Sequence, residues 1–544
     1  MKKYLILIFV VGLWAALPLF GPRFIPTHDG EYHIIRFANF YTMLSAGHIF
    51  PRWAPDLNSG YGLPLFNFHY PFPNYIGSFF HAFGASFVDA VKLTLATGYL
   101  VAAFLCFLWL RSLFPPRAAL VGAIASMLVP YWFVDIYVRG SVGEVWAVAF
   151  LFAIFLGIEQ RLPLILGLAT AFLILSHNIL ALLFIPFAFA YILIRWRSGI
   201  AAWVLGILVA SYFWLPALLE RGYMVGLNSV AFADHFVELV QLLFPSWGTG
   251  FSAAGFAPGE MSFQLGILPI LVFAFALWAL RKKKDSAWPL GILFIASMVA
   301  SVFLMLPFSL GLWDAIPLLQ YLQYPWRLLS FVIPATGFLM AYVTRASWRW
   351  AGILALIGFV AVQSYMRPVT YEARSDVHYL SRAEFTDGTS SLGNSFSTIW
   401  TPWKSKRAAS RVEVLSGDVA VHMEREDPLE YRFAVLASEP STLRVNTLYY
   451  PGWSVQADGK KQAIDYETAG TIDVAVPEGE HDVVVRFEET PLRWAADTLS
   501  LTGLFCLLGW AILKRGYYAY RHRHNAPHNR PQRTGRRRIH AKAS

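Results

Sequence analysis

MKKYLILIFVVGLWAALPLFGPRFIPTHDGEYHIIR, residues 1–36, joins two kinds of chemistry without a pause. The first twenty residues carry a charged start and then an apolar core long enough for a membrane helix. The ten positions from Thr27 to Arg36 then hold two His, one Asp, one Glu and one Arg. The start resembles a signal peptide, with small residues at Ala15 and Ala16, but further apolar runs follow, so an uncleaved first helix is expected. Composition agrees: 56% of residues are hydrophobic and 14% charged, which excludes a water-soluble globule and predicts a polytopic membrane protein.

Apolar runs of roughly 17 to 25 residues are candidate spans. Twelve are expected, near 4–20, 88–110, 117–134, 143–159, 162–177, 178–195, 199–217, 263–280, 287–306, 327–344, 348–364 and 494–514. With Lys2 and Lys3 in the cytoplasm, Arg111/Arg117, Arg161, Arg195/Arg197, RKKK at 281–284, Arg345/Arg349 and the basic tail all fall on that same side, both termini included. The tail from Lys514 holds ten Lys/Arg and no acid, accounting for the net +10; beside a membrane helix it reads as a topology signal or a contact with anionic membrane lipid, and no nucleic-acid role is assigned. Cys106 and Cys506 lie inside apolar segments and offer no disulfide or metal pair.

The expected organisation is a helical membrane part, 1–364, with an outer loop at 21–87 and an interfacial helix within 71–86; a β-rich extracytoplasmic domain at 365–493; a last helix at 494–514; and the tail, 515–544. RVEVLSGDVAVHM, LEYRFAVLA, STLRVNTLYY, TIDVAVP and HDVVVRF alternate apolar and polar residues, the pattern of a small antiparallel β-sandwich. Trp453 and Asp458, in YPGWSVQADGKK, are read as a packed Asp-Gly hairpin rather than a glycan contact.

Residues 30–45 predict an amphipathic helix on the outer leaflet, with Ile34, Phe37, Tyr41 and Leu44 on one side and Asp29, His33 and Arg36 on another. Three readings of that polar side stand open: an N-cap followed by a solvated face, a metal site using His28, Asp29, Glu31 and His33, or a substrate site. Other outer connections are also charged. DIYVRGSVGEVW supplies Arg139 and Glu144, SHN supplies His177, and LQYPWRLL supplies Arg327 against the positive-inside tendency. GYGLPLFNFHYPFPNY, with Tyr61, Phe66, Phe68, His69, Tyr70 and Tyr75, is either an aromatic interface belt or a lip over a substrate. Carboxylates that accept a proton, together with guanidinium groups that grip phosphate, suit group transfer from a lipid-linked phosphate.

THDGEYHIIR after helix one, GYGLPLFNFHYPFPNYIG, RGSVGE, SHN and YPWR together resemble the bacterial membrane proteins of the GT-C glycosyltransferase superfamily, in the branch labelled 6-pyruvoyl-tetrahydropterin synthase-related membrane proteins. The segment from Tyr449 to Phe487, followed by a final helix, is similar to the extracytoplasmic tail of bacterial multi-span proteins implicated in glycosylating cell-wall polymers. The resemblance implies a GT-C-like fold in the cell membrane, a polyprenyl-phosphate sugar donor, an extracytoplasmic acceptor (glycan, polymer, lipid or protein) and inversion at the anomeric carbon. It maps the catalytic base onto Asp29, with Glu31 as the alternative, and a second acid onto Glu144. Substrate and phosphate contacts are expected from Glu31, His33, Arg36, His69, Tyr70, Arg139, His177 and Arg327. No complete metal ligand set is visible, and a divalent cation is left open. A lipid-linked-glycan flippase and a non-catalytic scaffold for envelope assembly are the rival readings.

Overall fold

The computed structural model describes residues 1–226, 231–255, 257–282, 284–381, 395–401 and 406–524, with backbone alone for 515–524. The basic tail beyond His524 therefore lies outside the described residues. Each of the twelve apolar segments is helical, but they are not twelve equal spans. Among the described residues, seven helices are long and apolar enough to cross a membrane: Lys2–Phe20, Phe87–Leu113, Val142–Glu159, Asn178–Arg195, Trp288–Met305, Pro325–Ala346 and Pro491–Lys514. Two bent pairs raise the number to nine, Pro116–Met127 with Pro130–Arg139 at 49° and Arg197–Val209 with Ser211–Leu219 at 64°. The first bend falls where Pro130 can neither donate an amide proton nor fit against the preceding turn. The remaining three, Pro163–Ser176, Ile267–Lys282 and Trp348–Val362, are shorter. His177 splits the apolar stretch 163–195, its extended backbone (φ −162°, ψ 105°) ending one helix and capping the next.

The groups expected in the cytoplasm meet at one end of this bundle. Arg195 pairs with Glu159 at 2.7 Å and donates to the Ser286 carbonyl at 3.0 Å, Arg345 pairs with Asp285, and Lys514 donates to the Arg161 carbonyl. The polar loops of the sequence gather at the opposite end. The chain is thus a multi-pass membrane protein with chemically distinct ends.

Helix Gly30–Ser45 forms as expected, and its His33 and Arg36 are buried along with Ile34 and Phe37, while Thr42 and Ser45 near its end are exposed. It is covered by the helix Phe72–Ala82, where Phe79 and the capping Phe83 are exposed. Strands occupy only the later part of the segment 365–493. Residues 366–381 instead run as a strap over the first loop: Phe24 and Glu372 exchange backbone hydrogen bonds at 2.9 Å, and the Asp376 carboxylate accepts from the amides of Phe87 and Val88 at 2.8 and 3.0 Å, capping that helix.

The β region consists of two antiparallel sheets. One orders β1 (Val412–Ser416), β4 (Ser441–Leu448) and β7 (Thr471–Val476) as β1-β4-β7; the other orders β2 (Val419–Asp427), β3 (Glu430–Ala437), β8 (Gly479–Phe487), β5 (Trp453–Ala457) and β6 (Lys460–Gln462) as β2-β3-β8-β5-β6. Asp458 and Gly459, at φ 51° and 75°, make the β5–β6 turn. Trp453 is buried against Trp53, Tyr431 and Phe487, so it packs rather than facing a glycan.

The core of this region is shared with the first loop. Ile35, Phe40, Trp53, Leu63, Phe66 and Phe68 join Phe433, Val445, Val455, Ile472 and Val485 in one buried cluster. Phe66 and Phe68 are therefore packed into the core, and Phe68 also reaches the wall of an apolar cavity. A buried ionic knot fastens the same junction. Arg493, fully buried at the foot of the last helix, pairs with Glu220 at 3.1 Å, and Glu220 also accepts from Tyr450 at 2.6 Å and Asn67 at 2.7 Å. Nearby, Arg52 of the loop pairs with Glu489 at 2.6 Å and Asp497 at 3.0 Å.

Breaking one partner of a buried ion pair leaves a desolvated charge and costs about 3–5 kcal/mol, whereas replacing both with apolar groups is much milder. Arg493→Met should therefore lower the thermal unfolding midpoint sharply, and Glu220→Leu combined with Arg493→Met should recover most of the loss.

Candidate functional site

The site is built where two loops cross. Residues 134–139 form a short π-helix after Pro130–Phe133, ending at Gly140 in the left-handed region (φ 66°). A Cβ at Gly140 would lie 2.2 Å from Thr27 Oγ1, so glycine lets the first loop come into contact. The backbone amides of His28 and Asp29 then donate to the carbonyls of Val138 and Arg139 at 3.0 and 2.8 Å. Asp29 is thereby tied by its main chain to the arginine of another loop.

Beside it lies a fully buried carboxylate. Glu144, in the first turn of Val142–Glu159, has its Oε1 at 2.7 Å from Arg139 Nη1, 3.2 Å from Arg327 Nε and 3.8 Å from His177 Nε2, while Oε2 accepts from the Tyr131 hydroxyl at 3.0 Å. Arg139 Nη1 also donates to Asp135 Oδ1 at 2.6 Å, and its guanidinium lies 4.8 Å from the Trp326 ring. Arg327 donates through Nη1 to the Leu322 carbonyl at 2.8 Å and to Gln323 Oε1 at 2.9 Å, and lies over Tyr324 at 4.7 Å. Two carboxyl groups and two guanidiniums thus share one hydrogen-bonded cluster out of water, where each needs the others as partners. Asp135, Tyr131 and Trp326 are members that the sequence reading missed. The i,i+4 spacing of Asp135 and Arg139 was the available signal.

His177 has a structural role as well. Its Nδ1 accepts from the Leu180 amide at 3.1 Å, which leaves the proton on Nε2, facing Glu144. Tyr70 stacks on it with ring centroids 5.0 Å apart, and on the other side lies 4.1 Å from His69. The Tyr70 ring fits because position 143 is glycine; a Cβ there would be 2.6 Å from it. Arg36 Nη1 donates to His69 Nε2 at 2.9 Å, and the Asp29 charge acts on Arg36, Tyr70 and Arg139 alike. Burial, then the Arg36 charge, holds both His33 and His69 well below the ordinary imidazole pKa.

Asp29 itself is half-buried, and among the described residues its carboxylate accepts no side-chain hydrogen bond. It does not cap its helix, since Thr27 Oγ1 takes the Gly30 amide at 3.0 Å. Glu31 is committed elsewhere, paired with Arg374 of the strap and 3.4 Å from the Tyr379 hydroxyl. His28 turns to the Thr249 carbonyl at 2.7 Å. Among the described residues, no group of three or more His, Cys, Asp and Glu is placed to hold a metal ion. His28, Asp29, Glu31 and His33 thus point to four different surroundings rather than to one ligand sphere.

A cavity of about 460 Å³ adjoins the cluster. Ile179, Pro186, Trp214, Leu218 and Leu318 make it apolar, and Gln323, the partner of Arg327, stands in its wall.

No family model and no curated protein sequence matches the chain. Solved structures similar to it include the arabinofuranosyltransferase AftD from mycobacteria (15% identity, TM-score 0.44, 67% of this chain and 26% of that one). The oligosaccharyltransferase of Archaeoglobus fulgidus follows (14%, 0.44, 67% and 55%). ArnT from Cupriavidus metallidurans, bound to undecaprenyl phosphate, is a third (14%, 0.42, 67% and 64%). The aligned part thus spans from about a quarter to less than two thirds of these proteins' lengths. At these scores no residue role passes from them to this chain.

The two acids should separate in stability. Glu144→Gln, which leaves two buried guanidiniums short of an anion, is expected to cost about 3–5 kcal/mol. Glu31→Gln, in a half-exposed pair, should cost about 1 kcal/mol or less. Thermal unfolding of the two variants checks the difference.

Proposed function

We propose that this protein is a GT-C-type membrane glycosyltransferase that moves a sugar from a polyprenyl-phosphate donor to an acceptor outside the cytoplasm, with inversion. The observation that carries the reading is the crossing of the two loops: a carboxylate free to accept a proton, Asp29, is bonded through its own amide to Arg139, beside a buried arginine pair and an apolar cavity.

In this reading the lipid tail lies along the apolar cavity and its phosphate faces the remaining N–H groups of Arg139 and Arg327. Asp29 removes the proton of an acceptor hydroxyl as that oxygen bonds to the anomeric carbon. The bond from that carbon to the phosphate oxygen breaks on the opposite side, and the departing phosphate keeps the electron pair, its growing charge met by the guanidiniums. Glu144 and Asp135 serve as positioning residues, since their carboxyl groups are taken up by Arg139, Arg327 and Tyr131 and so aim the guanidiniums. His177 holds the turn that carries its own ring and Tyr70 against Glu144. The half-exposed Glu31–Arg374 pair favours Asp29 over Glu31 as the base, for a base must be free to take a proton.

Asp29→Asn should fold, bind the donor and lose transfer by roughly 10²- to 10⁴-fold. A radiolabelled polyprenyl-phosphate sugar in vesicles is the measurement. Full transfer by this variant removes Asp29 from the mechanism, and donor that crosses the vesicle intact without being consumed supports transport instead.

A further inference from the structure

Helices Gly30–Ser45 and Phe72–Ala82 approach so closely that a Cβ at Gly77 would lie 2.1 Å from the Phe37 ring. That approach groups His33, His69 and Asn74. The His33 and His69 rings are 5.9 Å apart, and Asn74 Nδ2 is 3.5 Å from His69 Nδ1.

His69 sets the orientation of this group. A guanidinium only donates, so His69 Nε2 accepts from Arg36, and its proton sits on Nδ1, directed at the Tyr70 carbonyl. Asn74 Nδ2 donates to that same carbonyl at 2.9 Å, which turns its Oδ1 the other way. Among the described residues, Asn74 Oδ1 is then buried with no partner, and so are both ring nitrogens of His33, a side chain with no exposed surface. Buried polar atoms left this way are rare and call for a partner. Beside Arg36 and out of water, His33 is neutral, offering one N–H and one bare nitrogen. With Asn74 Oδ1, the three atoms present one donor and two acceptors. An ionised phosphate, which only accepts, answers one of them; hydroxyl groups, which donate and accept, answer all three.

We infer that His33 and Asn74 read the hydroxyl groups of the transferred sugar, so that this pair, rather than the arginine cluster, sets which sugar the site takes. The inference rests on the transferase reading above, and reassigns His33 from the phosphate to the sugar.

The test uses the full-length chain in detergent and two kinds of probe, farnesyl phosphate and its glucosyl, galactosyl and mannosyl phosphodiesters. Wild type should hold at least one glycosylated probe about tenfold more tightly than bare farnesyl phosphate, the order expected when a buried site built for hydroxyls is filled. His33→Leu should bring that ratio to about one with little change in affinity for the bare phosphate. His33→Gln, which keeps a donor and an acceptor, should restore most of it. If His33→Leu does not fold, the ratio in Asn74→Leu decides. A ratio that survives these substitutions, or a wild type that binds bare and glycosylated phosphate alike, overturns the inference. A wild type that binds no probe at all, the bare phosphate included, removes the transferase reading and the inference with it.

Discussion

One carboxylate, that of Glu144, is the constraint on which the site depends. It is fully buried and accepts from two guanidiniums and a phenol, Tyr131 and Arg139 from the bend 130–139 and Arg327 from a distant part of the chain. Such a group is stable only while its partners stay in place, and the partners are stable only while it stays charged. This mutual requirement fixes the π-helix 134–139, the start of Val142–Glu159 and the turn before Val332 relative to one another. Asp29 inherits that rigidity through the hydrogen bond from its backbone amide to the Arg139 carbonyl, although among the described residues its carboxylate accepts no side-chain hydrogen bond.

The membrane character, the helix positions and nearly every strand were legible in the sequence because each rests on a local period: long apolar runs, alternation in strands, and Asp-Gly at a tight turn. The meeting of Arg139, Glu144, His177 and Arg327 was legible for another reason. Charge is costly at the end of a membrane helix, so each such residue marks a place where the fold supplies a partner. Asp135 opens the connection DIYVRGSVGEVW, just past the run 117–134, and was passed over for Arg139 and Glu144; its part in the site follows from the π-helix that sets it one turn before Arg139.

Burial by non-local packing was not legible. The periodicity of residues 30–45 gave the helix but left the surroundings of His33 and Arg36 open, because nothing local shows that the helix 72–82 and the strap 366–381 cover it. Nor did the apolar runs show where a helix would begin: Ile267–Lys282 starts four residues inside the run 263–280. Phe66 and Phe68 looked like surface aromatics until the sheets closed over them.

The core that joins the first loop to the sheets also bears on how this molecule can be taken apart. Trp53, Leu63, Phe66 and Phe68 contribute to the interior of a region that begins more than three hundred residues later. A fragment cut to the strands alone would carry a raw greasy wall and, at Tyr450, a hydroxyl robbed of its carboxylate. The half of the protein that carries the first loop and the sheets is thus stitched from distant pieces, and dissecting it for biochemistry means grafting loop to sheets rather than clipping at the last helix.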